Sequence, residues 1–363
     1  MAHFREQDGL KYHFEKRFLG EEKCEEDVPM EFPRNKGDLV EKYLYVENML
    51  NDQWHKDVNL GAAVTGDGLL TDHGVEHVND VMMHANMIIG KNVRKLNGYE
   101  IYLLLLAIHF HDLGNIKGRE EHEEKIAEIM TEMGEALPLD ITEKQFVIAI
   151  ATAHGGYVNG DKDTIYHINV DRGCNGIKVR AKLLAAILRF ADELSDDFNR
   201  ANYKGIEIPA QNEAFHEYSK SLEPVLIEGE TVAFHFRIPY TLTQNKIGKA
   251  NKRVFLYDEI LERLAKTMRE LEYCRNYAEG FIKITTLNVT IDVSEPNNII
   301  KCKESLGFRL RVQGYPNREE KKIESYLDYA MPEGARHNEK SEIQYCSGSE
   351  LKKAMKGGGK NAT

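Results

Sequence analysis

Cysteine is scarce in this chain of 363 residues. The five present, Cys24, Cys174, Cys274, Cys302 and Cys346, are odd in number and never fall in C-x-x-C spacing. That excludes a disulfide framework and a zinc knuckle, and it is the pattern of reduced intracellular thiols. Positive charge is also short. Lys and Arg number 48 against 59 Asp and Glu, a net charge of -11 with a pI near 5.8, which argues against broad binding to polynucleotide phosphates and leaves room only for a local basic groove. Long apolar runs are missing. The longest, IYLLLLAI from Ile101, cannot span a bilayer, and MAHFREQDGLKYHFEKR at the start lacks the apolar stretch of a signal peptide. These absences place the protein in the cytoplasm, away from any membrane. Two glycine-rich stretches complete the list. GAAVTGDGLL lacks the Lys-Ser/Thr ending of a phosphate-cradling loop, and nothing β-like precedes the GGGK near the end.

Histidine is what the chain has in place of these. Eight of its fourteen lie between His55 and His154, and histidine is the commonest neutral ligand of Zn, Fe and Mn. The stretch TDHGVEHVNDV predicts a helix running to about Leu96, capped by Thr71 or Asp72, with His73, His77, Val81 and His84 along one stripe. Glu100 to Leu113 predicts a second helix, apolar nearly all round and therefore central and buried. It ends in the doublet His111 and Asp112, with Gly114 as the expected C-terminal cap. A buried helix ending in two polar groups is costly unless they are paired or metal-bound. His77, His111 and Asp112 thus form a converging set of donors, whereas His109 points elsewhere and reads as structural.

The remaining chain divides by character. Residues 1–37 are a charged lead-in with no sustained period. From Asp38, a plausible N-cap, DLVEKYLYVENMLNDQW places Leu39, Tyr43, Val46, Leu50 and Trp54 at helical spacing. After the doublet a helix is expected from near Arg119, with His122 in its first turn. Another ends at His154, stopped by Gly155 and Gly156. KVRAKLLAAILRFADELSDDF predicts a further helix carrying Asp192, for which Arg189 or Lys182 is the ordinary partner. Beyond Asn199, KGIEIP, EPVLIEG and TVAFHFRIP read as short strands, followed by a helix over 252–279 and the strand FIKITTLNVTIDV. The reading is therefore mainly α, a helical domain over 38–200 followed by a smaller α+β domain over 201–300. A mixed extension, 301–363, ends in a flexible, mildly basic tail.

The ordered set of a helix-borne His77, the doublet His111 and Asp112, and the distant Asp192 in RFADELSD resembles the HD superfamily of metal-dependent phosphohydrolases over roughly Leu39 to Phe198. The resemblance implies a helical bundle, with Asp192 completing a first metal site. Branches with two metals add histidines after the doublet and on the next helix. His122 and His154 fit those places, although His-Gly stands where some branches have His-His. Asp112 would then bridge two divalent ions. Imidazoles with carboxylates suit Mn, Fe or Zn, with Mg also a candidate.

Phosphate oxygens call for cationic forks, and Arg119, then Lys117, are the nearest; His73 could orient His77 or meet the leaving group. The expected activity is hydrolysis of phosphoester or phosphoanhydride bonds in a small nucleotide, whether dNTP, NTP, cyclic or dinucleotide. The chain lacks the Gly-His-Pro-Phe-like run of dNTP triphosphohydrolases and the GYP motif of the cyclic-dinucleotide branch. TDHGVEH and REEHEEK look more like a bacterial branch found beside ATPase or defence modules. Two other readings stand beside this one: a nucleotide-sensing regulatory or scaffold protein, self-associating or acting on a partner protein through the C-terminal domain, and a single-strand nuclease, either of them in phage defence.

Overall fold

The computed structural model describes residues 3–25, 31–34, 37–64, 71, 73–170, 173–201, 208–295, 298–314, 322–327 and 344–357. Its contacts divide the chain into two units. The first draws on residues 1–68, 73–195 and 274–282, the second on 196–273 and 283–363.

The first unit is helical: α1 (Leu10–Phe18), α2 (Leu39–Gln53), α3 (His55–Val64), α4 (Val75–Ile89), α5 (Gly98–Phe110), α6 (Ile126–Met133), α7 (Ile141–Thr152) and α8 (Ala181–Leu194), with a two-residue antiparallel pair, β1 (Gly173–Cys174) and β2 (Ile177–Lys178), before α8. The packing centres on α5, buried at every position and in contact with α1, α2, α4, α7 and α8. Its start is set by a capping box. Asn97 accepts from the Glu100 amide, and the Glu100 carboxylate accepts from the Asn97 amide. Asp140 and Glu143 do the same for α7, and Asp38 caps α2. An apolar helix needs both ends satisfied before it can be enclosed.

The structure corrects several expected boundaries. The lead-in builds α1, which buries Leu10 and Phe14 one turn apart. Its charged wording hides this because Glu15 and Arg17 are also buried, Glu15 accepting from the His3 and Phe4 amides and Arg17 donating to the Val93 carbonyl. Helix α4 starts at Val75 with Gly74 as N-cap, so Thr71 is not the cap and Asp72 lies outside the described residues. The helix stops at Ile89, followed by a 3-10 segment, Gly90–Lys95. Within GAAVTGDGLL, residues 61–64 continue α3, and 65–70 lie outside the described residues.

The second unit holds α9 (Glu213–Ser221), β3 (Leu226–Glu228), β4 (Thr231–Ile238), α10 (Tyr240–Gln244), β5 (Ile247–Lys249), β6 (Lys252–Val254), most of α11 (Leu256–Tyr277), β7 (Thr286–Glu295), β8 (Asn298–Arg311) and α12 (Gly348–Gly357). Its main sheet has the order β3-β4-β7-β8, with only the β4–β7 pair parallel. Alternation in β4 buries Val232, Phe234, Phe236 and Ile238 on one face. Strand β8 runs through position 300. The expected tail forms α12 as far as Gly357, with 358–363 outside the described residues. Of KGIEIP, 204–207 are likewise outside, and Ile208 and Pro209 lead into a 3-10 turn rather than a strand.

Candidate metal centre

Two side-chain groups meet at Asp112, which is buried at the end of α5. One comprises His77, His111, Asp112 and Asp192, the other Asp112, His122 and His154, and within each the donor atoms all lie within 4.8 Å of one another. The carboxylate divides its oxygens between them. Asp112 Oδ2 is 3.4 Å from His77 Nε2 and 3.2 Å from His111 Nε2, while Oδ1 is 3.2 Å from His122 Nε2 and 3.7 Å from His154 Nε2. Asp192 Oδ1 completes the first group at 3.1 Å from His77 Nε2 and 3.7 Å from His111 Nε2.

Local structure explains the convergence. After Phe110 the chain leaves the α-helix through a turn into the 3-10 segment Leu113–Lys117, which turns two neighbouring side chains toward one point. Gly114 is not the C-cap expected of it. A Cβ there would lie 1.7 Å from the His122 carbonyl oxygen, so glycine is required because the His122 backbone passes directly over it. His122 itself sits in the turn ahead of α6, which begins at Ile126 rather than near Arg119. His154 stands two residues past α7, and Gly156, at φ +66°, turns the chain away. His77 lies in the first turn of α4.

In three of the four histidines the ring nitrogen facing away from the centre is occupied in a consistent way, the exception being His77 Nδ1. His111 Nδ1 donates to the Ile108 carbonyl at 2.7 Å, His154 Nδ1 to Ala151 at 2.6 Å, and His122 Nδ1 to Arg119 at 3.2 Å, with Glu123 Oε2 also 3.2 Å away. A neutral imidazole that donates through Nδ1 keeps its lone pair on Nε2. Such outer-sphere bonds fix ring orientation in metal sites. The Nε2 atoms of His77 and His111 are 3.3 Å apart, as are those of His122 and His154. Nitrogens bound to one ion at about 2.0–2.2 Å are separated by about 3–3.5 Å, so the residues present fit divalent cations in both groups.

The charges point the same way. Burial opposes ionisation of Asp112 and Asp192, yet the surrounding imidazoles hold both carboxyls well below the usual carboxylate range. Burial would lower His111, but Asp112 and Asp192 push it up to about 10, so in the absence of metal a proton occupies the place where a cation would sit. His122 is lowered, chiefly by burial.

The other residues singled out in the sequence fall differently. His73 is not on α4. It precedes Gly74, yet its Nδ1 is 2.7 Å from Asp112 Oδ2, and Asn59 Oδ1 accepts its backbone amide at 2.8 Å. It thus meets Asp112, and its ring also stands edge-on to that of His77, with 5.7 Å between centroids. Arg119, with 44 % of its side chain exposed, sits at the rim, 3.3 Å from Asn115 Oδ1 and 4.0 Å from Asp112 Oδ1. Lys117 turns away, its ammonium bound to Glu128 and Glu132 on α6 at 2.6 and 2.5 Å. Arg189 donates to Thr164 and the Ala153 carbonyl, and Lys182 to the Tyr166 carbonyl. Sequence reasoning missed Asn115, whose amide donates to Asp112 Oδ1 at 3.1 Å. Its place three residues beyond Asp112, in the turn, was the available signal.

A helical bundle in which a helix-borne histidine, a His-Asp doublet and a distant aspartate meet at one carboxylate is a domain of the HD superfamily. More narrowly, the family model described as HD-CE matches residues 68–270, and the chain belongs to that family. No curated protein and no solved structure matches it.

Proposed function

We propose that the protein is a metal-dependent phosphohydrolase acting on a small nucleotide. The carrying observation is Asp112, whose two oxygens serve two separate groups of imidazoles. Divalent ions held there would supply Lewis acidity and bring a water close to ionisation at neutral pH. His77, His111, Asp112 and Asp192 hold one, and Asp112, His122 and His154 the other. His73 and Asn115 hold Asp112 in place. Arg119, at the exposed rim, receives the phosphoryl oxygens as a forked donor; Lys117, whose ammonium is paired with Glu128 and Glu132, is the weaker candidate for that part. The protein works in the cytoplasm, and the second unit offers a surface for self-association or a partner protein.

Screening the purified chain with Mn, Fe, Mg and Zn against nucleoside triphosphates, cyclic dinucleotides and oligonucleotides tests the reading. Turnover of a nucleotide supports it. Cleavage of oligonucleotides alone would make the protein a nuclease, and tight metal binding with no turnover would leave a regulatory scaffold.

A further inference from the structure

The chain beyond His154 forms a loop that is closed at its base. Thr164 Oγ1 donates to the Ala153 carbonyl at 2.8 Å, and Arg189 donates to Thr164 in turn, so residues 154–163 leave and return at one place. Asp163 fixes the returning arm by accepting from the Tyr277 hydroxyl at 2.8 Å. The departing arm runs against Glu123. A Cβ at Gly155 would lie 2.6 Å from Glu123 Oε1 and one at Gly156 3.2 Å from Glu123 Cδ, and the same carboxylate stands 3.2 Å from His122 Nδ1. That nitrogen also faces the Arg119 carbonyl. The loop therefore rises beside the second group of donors, next to the residue whose side chain forms the exposed rim.

The loop ends in a tight β-hairpin. Asn159 (φ +52°) and Gly160 (φ +80°) make its two-residue turn, the pairing that a type I′ turn favours, and Val158 and Asp161 exchange both backbone hydrogen bonds, at 2.8 and 2.9 Å. The next pair along the arms, Tyr157 and Lys162, then shares one face. The Lys162 ammonium lies 5.4 Å from the centroid of the Tyr157 ring and makes no ion pair among the described residues, while Tyr157 is 57 % exposed. A lone exposed tyrosine is ordinary on a protein surface. This one is held by a turn of fixed geometry on a loop tied at both ends, so its ring is ordered before any ligand arrives. Its Cα is at most about 11 Å from that of His154, three residues back, a distance that a ribose with its phosphates can bridge.

We infer that this hairpin is the nucleoside-binding part of the site. A base stacks on the open face of the Tyr157 ring, and Lys162, lying over the other face, steadies the ring and adds positive charge for phosphates that run from there toward Arg119. Every base has a π face, so stacking of this kind tolerates all of them. The element thus selects nucleotides over inorganic phosphates without choosing among bases. The inference rests on the nucleotide reading for its ligand, yet binding alone tests it.

Calorimetry of the full chain with Mn measures the affinity of the β,γ-imido analogues of the four ribonucleoside triphosphates and of imidodiphosphate, which has no base. Tyr157→Ala should weaken the analogues by roughly tenfold or more, the scale of one base stacked on an aromatic ring, and leave imidodiphosphate unchanged. Tyr157→Phe and Tyr157→Trp keep a flat ring and should retain binding, whereas Tyr157→Leu, apolar but without a π face, should not; thermal midpoints show that each variant is folded. Wild-type affinity for the analogues in Tyr157→Ala, an equal loss for imidodiphosphate, rescue by leucine as good as by phenylalanine, or no binding of any analogue by the wild type would overturn the inference. Analogues that bind as expected while no nucleotide is turned over would end the phosphohydrolase reading and leave the hairpin its role. Turnover with nucleotide affinity indifferent to Tyr157 would do the reverse.

Discussion

Histidine meets carboxylate in both units, with opposite consequences. On the sheet of the second unit, half-buried His235 on β4 has both nitrogens engaged, Nδ1 2.6 Å from Glu223 and Nε2 2.8 Å from Asp292, which in turn accepts from Ser305 Oγ at 2.6 Å. That imidazole ties a loop to two neighbouring strands. Around Asp112, by contrast, backbone carbonyls take the Nδ1 hydrogens of three rings, and the Nε2 atoms face one another with carboxylate oxygens between. Proximity of His and Asp is common to both places. Nε2 atoms that converge with carboxylate oxygens on one buried point mark only the second.

Removing the bridging carboxylate tests that contrast most severely. Asp112→Ala should lose metal from both groups and cut any turnover at least about a hundredfold, more than outer-sphere changes do, while His235→Ala should leave metal content at the wild-type level; elemental analysis of the purified variants reads both. Equal metal in the two variants would erase the distinction. Gly114→Ala comes next, because its methyl group must push aside the His122 backbone. A cost of about 1–3 kcal/mol in urea unfolding is expected, with weakened metal binding by His122 and His154; alanine at the exposed Gly134, strained by its φ of +54° but with nothing within 4 Å, should leave metal binding intact.

Acid should also separate buried imidazoles from half-buried ones. In the folded protein His55 takes up a proton only near pH 3, against 6.5 for the ordinary side chain. The unfolded chain therefore binds more protons across that interval, and stability present above about pH 6.5 is lost as pH falls toward 3. Thermal melts of metal-free protein should show this decline, with a shallower slope in His55→Asn; an unchanged slope would remove His55 as its source. The smallest effect concerns the rim. Arg119→Ala should raise KM for a nucleotide several-fold, as loss of one charge-assisted contact does, whereas Lys117→Ala, already held by Glu128 and Glu132, should leave KM unchanged. Steady-state kinetics on the two variants would reverse their assignments if Lys117 proved the more sensitive.

Much of the first unit could be read from order and period alone. The apolar stretch from Ile101 could only be a central helix, and a doublet at its end could only be enclosed with partners, which is why His77, His111 and Asp112 stand out together, while Asp192 is reached only through the resemblance to the HD superfamily. Helix ends were less legible. Gly74 rather than Thr71 begins α4, and His122 sits in a turn, because such boundaries depend on which groups the folded neighbours satisfy. Gly114 looked like a cap from its place in the chain, yet its requirement comes from a backbone segment eight residues further along.

Amino-acid order was enough to point, through the family resemblance, to the class of domain and its candidate donors, and to place the main helices, since spacing along a helix follows from covalent geometry. Only the folded molecule could decide that Asp112 gives one oxygen to each group, that His73 meets Asp112 from ahead of α4, that Lys117 is paired with two glutamates, and that His55 Nδ1 has no partner among the described residues. Those facts depend on which side chains from distant parts of the chain arrive within hydrogen-bonding distance, and on how each ring's hydrogen is then committed.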